Sequence, residues 1–277
     1  MTARLTKFAR QRPTGLVGIV LLVGLVVASV GAPLWGLADP LESDYLSMLS
    51  PPAADHVLGT DQYGRDLLTR VIYGARLSLG IGASVMTLAA LAGLVLGSLA
   101  GYFSRLDGPI MRGLDVLMAF PAILLAIAIM AILGTGARNG VIALAIVYTP
   151  RCARIVRASV LSVRQRTFVE AGQALGAGDA RSLGIHILPN AIGPLVVQMI
   201  FVFAYAILAD AGLSFIGVGT PPPTPSLGNI LAEARDYLMV APWLMWWPGA
   251  AIAAIVLALN LCGDALREVM DPRQRSG

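Results

Sequence analysis

The chain has 277 residues, of which 57% are hydrophobic and 13% charged, with a mean hydropathy of +0.76. An ordinary soluble domain carries about 25% charged residues, so the composition excludes a soluble domain and indicates an all-α integral membrane protein. The net charge of +4 and pI near 9.4 come without any cluster that combines basic residues with aromatics, which argues against nucleic acid as a partner.

A basic leader with Arg4, Lys7, Arg10 and Arg12 precedes an apolar run at 15–38. A signal peptide begins in the same way, but its apolar region is only about 7 to 15 residues long, so this run is read as the first span. Residues 39–76 are polar and rich in turn formers, and 77–103 are apolar again. After a loop with Arg105 and Arg112, a third span is predicted at 113–134, with Asp115 and Pro121 as helix-entry residues. A fourth covers about 140–163; Pro150 predicts a kink, and Arg151, Arg154 and Arg157 predict that its second half leaves the bilayer. A fifth span follows at 191–215, then a loop with PPPTP at 221–225, then a sixth at 245–265. Each run is near or above the ~20 residues that cross a ~30 Å hydrocarbon core.

Orientation follows from the arginines and the single lysine. With the N-terminus inside, the cytoplasmic segments hold Arg4, Lys7, Arg10, Arg12, Arg105, Arg112, Arg151, Arg154, Arg157, Arg164, Arg166, Arg181, Arg267, Arg273 and Arg275. The outside receives Arg65, Arg70, Arg76, Arg138 and Arg235. This asymmetry places both termini in the cytoplasm, and Trp243, Trp246 and Trp247 fall where an outer aromatic belt is expected.

Between the fourth and fifth spans lies a polar, glycine-punctuated interval, FVEAGQALGAGDARSLGIHILPN at 168–190, now placed on the cytoplasmic side. Thr167 and Glu170 have the spacing of a capping box. Gly176 and Gly178 can take positive φ and turn the chain, Asp179 suits an N-cap, and Pro189 should stop a second helix. The expected product is two short helices with a bend between them, a form suited to docking.

Few residues suggest chemistry. No Walker A pattern is present, Lys7 being the only lysine. His56 and His186 lie on opposite sides of the membrane, so no histidine pair for zinc forms. Cys152 and Cys262 stand alone in apolar runs and read as helix-packing residues. Asp210, toward the outer half of the fifth span, admits two readings: a pathway or gate residue, or a structural carboxylate paired at the outer boundary. Ala89, Gly93, Gly97 and Gly101 recur every four residues and form a smooth face for close helix approach, either within the subunit or between subunits. The turn-rich run at 56–79 reads as a structured extracytoplasmic loop.

The interval 168–190 resembles the cytoplasmic signature of the inner-membrane permease subunits of ABC importers, specifically the dipeptide/oligopeptide/nickel group. That signature reads E-A-A, three residues, G, nine residues, I-x-L-P, and Glu170, Ala171, Gly172, Gly176, Leu188 and Pro189 fall on it. Gly172 replaces the second alanine, and His186 occupies the isoleucine position; the peptide group shares the second departure in its H-[IV]-L-P-N ending. The stretches at 56–76, 114–127 and 209–231 look like the same group, with Asp210 where many relatives have glutamate.

The resemblance implies a type I ABC importer permease fold with six transmembrane helices. It divides the chain into a leader, first span and loop start at 1–55 and a permease domain at 56–277. It implies a multi-pass subunit of a bacterial-type inner membrane that is not itself an enzyme and carries no cofactor, ATP and magnesium belonging to partner ATPase subunits. The implied partners are a homologous second permease, two ATPase domains and an extracytoplasmic binding protein. In this reading Glu170, Ala171, Gly172, Ala174, Gly176, Asp179, His186, Leu188 and Pro189 form the ATPase-coupling surface. Glu170 caps its helix or pairs with a partner arginine. The implied substrate is a short peptide; nickel, a haem-like compound or a glutathione-like peptide are alternatives within the class. An ion-coupled secondary transporter is the alternative outside it, distinguished by working without an ATPase.

Overall fold

The computed structural model describes residues 13–270, so the basic leader with Arg4, Lys7, Arg10 and Arg12, and Arg273 and Arg275, lie outside the described residues. Among the described residues the regular structure is helical, apart from one isolated bridge between Thr60 and Asp66. The helices are α1 Pro13–Val30, α2 Leu67–Tyr102, α3 Ser104–Met118, α4 Ala122–Leu133, α5 Ala137–Arg164 and α6 Thr167–Ala174. A composite helix α7 at 179–191 joins Asp179–Arg181, a π-helical Ser182–Ile187 and Leu188–Ala191. Then come α8 Gly193–Phe215, α9 Leu227–Ala234 and α10 Trp243–Met270.

The packing centres on α2 and α5. Gly93, Gly97 and Gly101 of α2 are buried against Cys152, Ala153, Val156 and Val160 of α5. A Cβ on Gly101 would stand 2.9 Å from the Val160 Cβ, so the small-residue stripe serves close packing inside this subunit. Cys152, fully buried, is the knob facing Gly93, a packing role as its apolar setting predicts. At Gly18 of α1, a Cβ would meet Leu261 Cβ at 2.6 Å and Cys262 N at 3.1 Å, so α1 lies directly on α10. The core divides into one cluster shared by α2, α5 and α8 and another that α2 and α8 share with α9 and α10.

The third predicted span is broken. Residues 113–134 are not one helix: α3 ends at Met118, and α4 leaves it at 94°. Pro121 caps α4 from an extended conformation (φ −56°, ψ 131°), and a proline disfavours helix at the residue before it. Asp115 consequently lies in the last turn of α3 rather than at a helix entry, and there it accepts a hydrogen bond from Arg154 at 2.6 Å. Arg157 grips Asp107 through two bonds of 2.5 and 2.6 Å. The amphipathic α3 is thereby clamped along the second half of α5.

The predicted kink at Pro150 does not divide α5, which runs unbroken for 28 residues with Pro150 buried. Cys152 is level with Gly93, in the apolar part of α2, and Arg151 stacks on Tyr205 in the middle of α8. By length and apolarity α2, α8 and α10 can each cross a membrane, and the bent pair α3–α4 makes a fourth candidate.

The loop before α2 is held by a buried ion cluster that joins two distant parts of the chain. Arg65 Nε donates to Asp61 Oδ2 at 2.6 Å, and an Arg65 terminal nitrogen donates to Glu233 Oε2 of α9 at 3.1 Å. Arg70 bonds both the same Asp61 oxygen and Glu233, the latter at 3.0 Å. Asp61 and Arg70 are each 1% exposed. Asp66 caps α2 by accepting from Thr69 N at 2.8 Å, and Trp243 Nε1 reaches Thr60 O at 3.2 Å. Residues 56–66 are therefore a structured loop, as their turn residues predict, whereas 67–79, read from the sequence as part of that loop, already form the first turns of α2.

Candidate functional site

The 168–190 interval forms two short helices joined by a tight turn, at the opposite end of α2 from the ion cluster. Its local chemistry differs from expectation at several points. Arg166, not Thr167, occupies the N-cap of α6 and makes no side-chain cap, so the capping box is not formed and Glu170 is an exposed residue of the first turn. Gly176 ends α6 at φ +89°, while Ala177 N bonds Gly172 O at 3.1 Å and Gly176 N bonds Gln173 O at 2.9 Å. This is the paired carbonyl closure that a left-handed C′ glycine provides. Gly178 takes φ −68°, not a positive value, and is itself the N-cap of α7.

Asp179 has a different task from the predicted cap. Its Oδ1 accepts a hydrogen bond from the Tyr102 hydroxyl at 2.7 Å, while Arg164 donates to the Tyr102 carbonyl at 2.8 Å. The last turn of α2, the end of α5 and the start of α7 are thus tied at one residue. A cavity of about 610 Å³ lined by Tyr102, Arg105, Arg164, Gln173 and Asp179 lies behind this knot. Pro189 does not stop α7. The helix widens into a π turn over Ser182–Ile187 just before it, and the chain continues helically to Ala191. Widening of this kind relieves the clash and the missing N–H that proline brings to a regular helix.

Packing sorts the side chains of this unit into anchors and free groups. Val169 (1% exposed) and Ile187 (0%) enter the core, whereas Phe168, Leu175 and Ile185 are 43%, 90% and 62% exposed. Gly172 and His186, the two departures from the signature, face each other: a Cβ on Gly172 would lie 3.6 Å from the His186 ring. Ala171 and Ala174 share α6 with Gly172, and Leu188 follows His186 by two residues in α7. A small, rigidly anchored unit with three large apolar groups in the open suits insertion into another protein's cleft.

Tyr102→Phe should cost about 1.5–3 kcal/mol, the typical worth of a hydrogen bond to a charged acceptor. A lowered melting temperature of the detergent-solubilised protein, by a few degrees, checks this.

Asp210, the remaining residue singled out in the sequence, is 1% exposed in α8, and its Oδ2 has no hydrogen-bond partner among the described residues. It is enclosed by protein and far along the chain from the α6–α7 unit. Sequence reasoning missed Tyr102, Arg164 and Glu233. The alternation of charge in SRLDGPIMRGLDVLM could have revealed α3 as an amphipathic helix rather than the opening of a span.

Comparison with known proteins agrees with this architecture. The model of the binding-protein-dependent transport system inner membrane component matches residues 93–276. A Brucella suis protein named for a peptide transport system permease is 51% identical over 95% of this chain and 89% of its own. The dipeptide transport system permease protein of Alkalihalophilus pseudofirmus is 41% identical over 98% of this chain and 89% of its own. Among solved structures, a chain of the methionine ABC transporter MetNI in an inward-facing form superposes with a TM-score of 0.62 at 19% identity. That match covers 74% of this chain and 98% of the other. The fold and the sequence thus lead to one assignment: the chain belongs to the family of binding-protein-dependent transport system inner membrane components.

Proposed function

We propose that this chain is one permease subunit of an ATP-driven importer of short peptides, and that its α6–α7 unit seats in a cleft of a separate ATPase subunit. The observation that carries the reading is the α6–α7 unit itself, knotted to α2 and α5 through Tyr102 and Asp179 yet presenting Phe168, Leu175 and Ile185 outward. Force applied to such a unit reaches the long helices directly. The names of the relatives, both for peptide permeases at 41–51% identity, support the substrate class.

In this reading six segments cross the membrane, α1, α2, α4 with its flanks, α5, α8 and α10, and both termini face the cytoplasm. The arginine asymmetry supports that orientation. A homologous second permease completes the pathway, two ATPase subunits bind ATP and magnesium, and an extracytoplasmic binding protein delivers substrate. Glu170, Ala171, Gly172, Ala174, Gly176, Asp179, His186, Leu188 and Pro189 make or support the coupling contact. The division at residue 56 separates the leader, first span and loop start from the permease domain proper.

The test is isolation of the tagged chain from its native membrane in mild detergent, followed by reconstitution. An ATPase and a second permease should co-purify, and trialanine should accumulate in proteoliposomes only when the binding protein and ATP are supplied on their proper sides. Uptake that persists without any ATPase partner would overturn the proposal.

A further inference from the structure

Arg151 occupies a position that packing alone does not explain. It stands at the midpoint of the 28-residue α5, about 20 Å from either end. Its guanidinium lies 5.6 Å from the ring centre of Tyr205, itself about 15 Å or more from either end of the apolar α8. The adjacent Cys152 is packed on Gly93 within the apolar part of α2. These independent contacts place the cation deep between the two ends of the helical bundle.

The surroundings of Arg151 are incomplete. Its side chain is exposed, and among the described residues no carboxylate lies within ion-pair distance. Arg154 and Arg157, one and two turns further on, are by contrast matched to Asp115 and Asp107. Two aromatic rings hold Arg151 in place, Tyr205 and, at 5.7 Å, Tyr148, whose hydroxyl is fixed to the Tyr205 carbonyl at 3.3 Å. Ring faces stabilise a cation without neutralising it, and they leave the guanidinium edge free to donate hydrogen bonds. A charge so held cannot reach a headgroup layer, and contact with lipid chains at that depth is strongly unfavourable.

We propose that Arg151 faces the water-filled pathway and binds the carboxylate of the passing substrate, which for a short peptide is its C-terminal carboxylate; the substrate identity rests on the function proposed above. The planar guanidinium matches a carboxylate in a two-point contact. The tyrosine cradle fixes its direction without neutralising it, and a single contact open to water helps the zwitterion into the pathway without holding it there, the balance that conduction requires.

The experiment uses the complete transporter with its binding protein in proteoliposomes and measures trialanine uptake well below saturation. R151Q should reduce uptake roughly ten-fold or more, the loss expected for one charge-assisted contact. It should assemble normally, with ATP hydrolysis still stimulated by the loaded binding protein. R151K, which keeps the charge but not the planar fork, should fall between the two.

Uptake by R151Q within two-fold of the unmodified complex overturns the assignment while leaving the peptide importer intact. R151K that takes up trialanine as well as the unmodified complex also overturns it, since the planar two-point contact is then not what acts. R151Q that separates from the second permease shows the charge to belong to a subunit contact, which overturns it as well. A failure of the unmodified complex to take up trialanine removes the peptide reading and this assignment together.

Discussion

Glu170→Lys and Gly176→Asp should each leave the protein folded and inserted yet reduce ATP-driven uptake roughly ten-fold or more, the scale of losing a central contact in a protein interface. Neither change has much to disturb within the subunit. Glu170 is exposed, makes no cap and sits in the first turn of α6, where a lysine in place of an acid costs about 1 kcal/mol through the helix dipole. Gly176 stands at φ +89° with open space around it, so an aspartate there costs about 1 kcal/mol of backbone strain and meets no clash. Losses of that size do not unfold a domain. A large fall in uptake would therefore report the contact that these residues make with another subunit. Uptake and ATP hydrolysis measured side by side in the reconstituted complex decide it. Hydrolysis that no longer responds to the loaded binding protein, with normal amounts of chain in the membrane, is the expected pattern; unchanged uptake in both variants refutes the coupling role.

The parts of this architecture visible beforehand are those governed by local chemistry. The Gly93, Gly97 and Gly101 stripe was legible because close helix approach demands small residues at a four-residue spacing. Gly176 was legible because a chain that reverses after a helix needs positive φ at C′. What escaped depended on contacts between distant segments. Thr167 and Glu170 have the right spacing for a capping box, but the helix begins one residue earlier than that motif needs, with Arg166 as its cap. Asp179 is chemically a good N-cap, yet Tyr102, 77 residues away, takes its carboxylate instead. The break between α3 and α4 was hidden by continuous apolarity across Pro121, and the ion pairs from α3 to Arg154 and Arg157 that fix its angle lie outside any local window. Those same arginines suggested that half of α5 leaves the bilayer. Two are satisfied by α3, while Arg151, midway along α5, lies against the rings of Tyr148 and Tyr205.

Arg70→Met should destabilise the protein by about 3–5 kcal/mol, a larger effect than its distance from the coupling unit suggests. Asp61, Glu233, Arg65 and Arg70 form a balanced set of two carboxylates and two guanidinium groups in which Asp61 and Arg70 are almost wholly enclosed. Removing one cation leaves a net negative charge in a place water barely reaches, and the penalty is that of an uncompensated buried charge rather than of one lost bond. For a chain of this size the fall in melting temperature should be roughly 6–15 °C, measured on the detergent-solubilised protein. Arg70→Met combined with Glu233→Met restores neutrality, leaving the Asp61–Arg65 pair intact, and should recover at least about 1 kcal/mol relative to the sum of the single changes. If the double variant is as unstable as that sum, the cluster acts through packing and not through charge balance. The distinction bears on transport, because Glu233 belongs to α9 while Asp61, Arg65 and Arg70 belong to the loop and first turn of α2. A charge-balanced link between these segments fixes one end of α2, whose other end is tied by Tyr102 to the α6–α7 unit. Under the proposed coupling role, motion entering at that unit would move α2 as a single rod of 36 residues instead of being lost as local flexing at its far end.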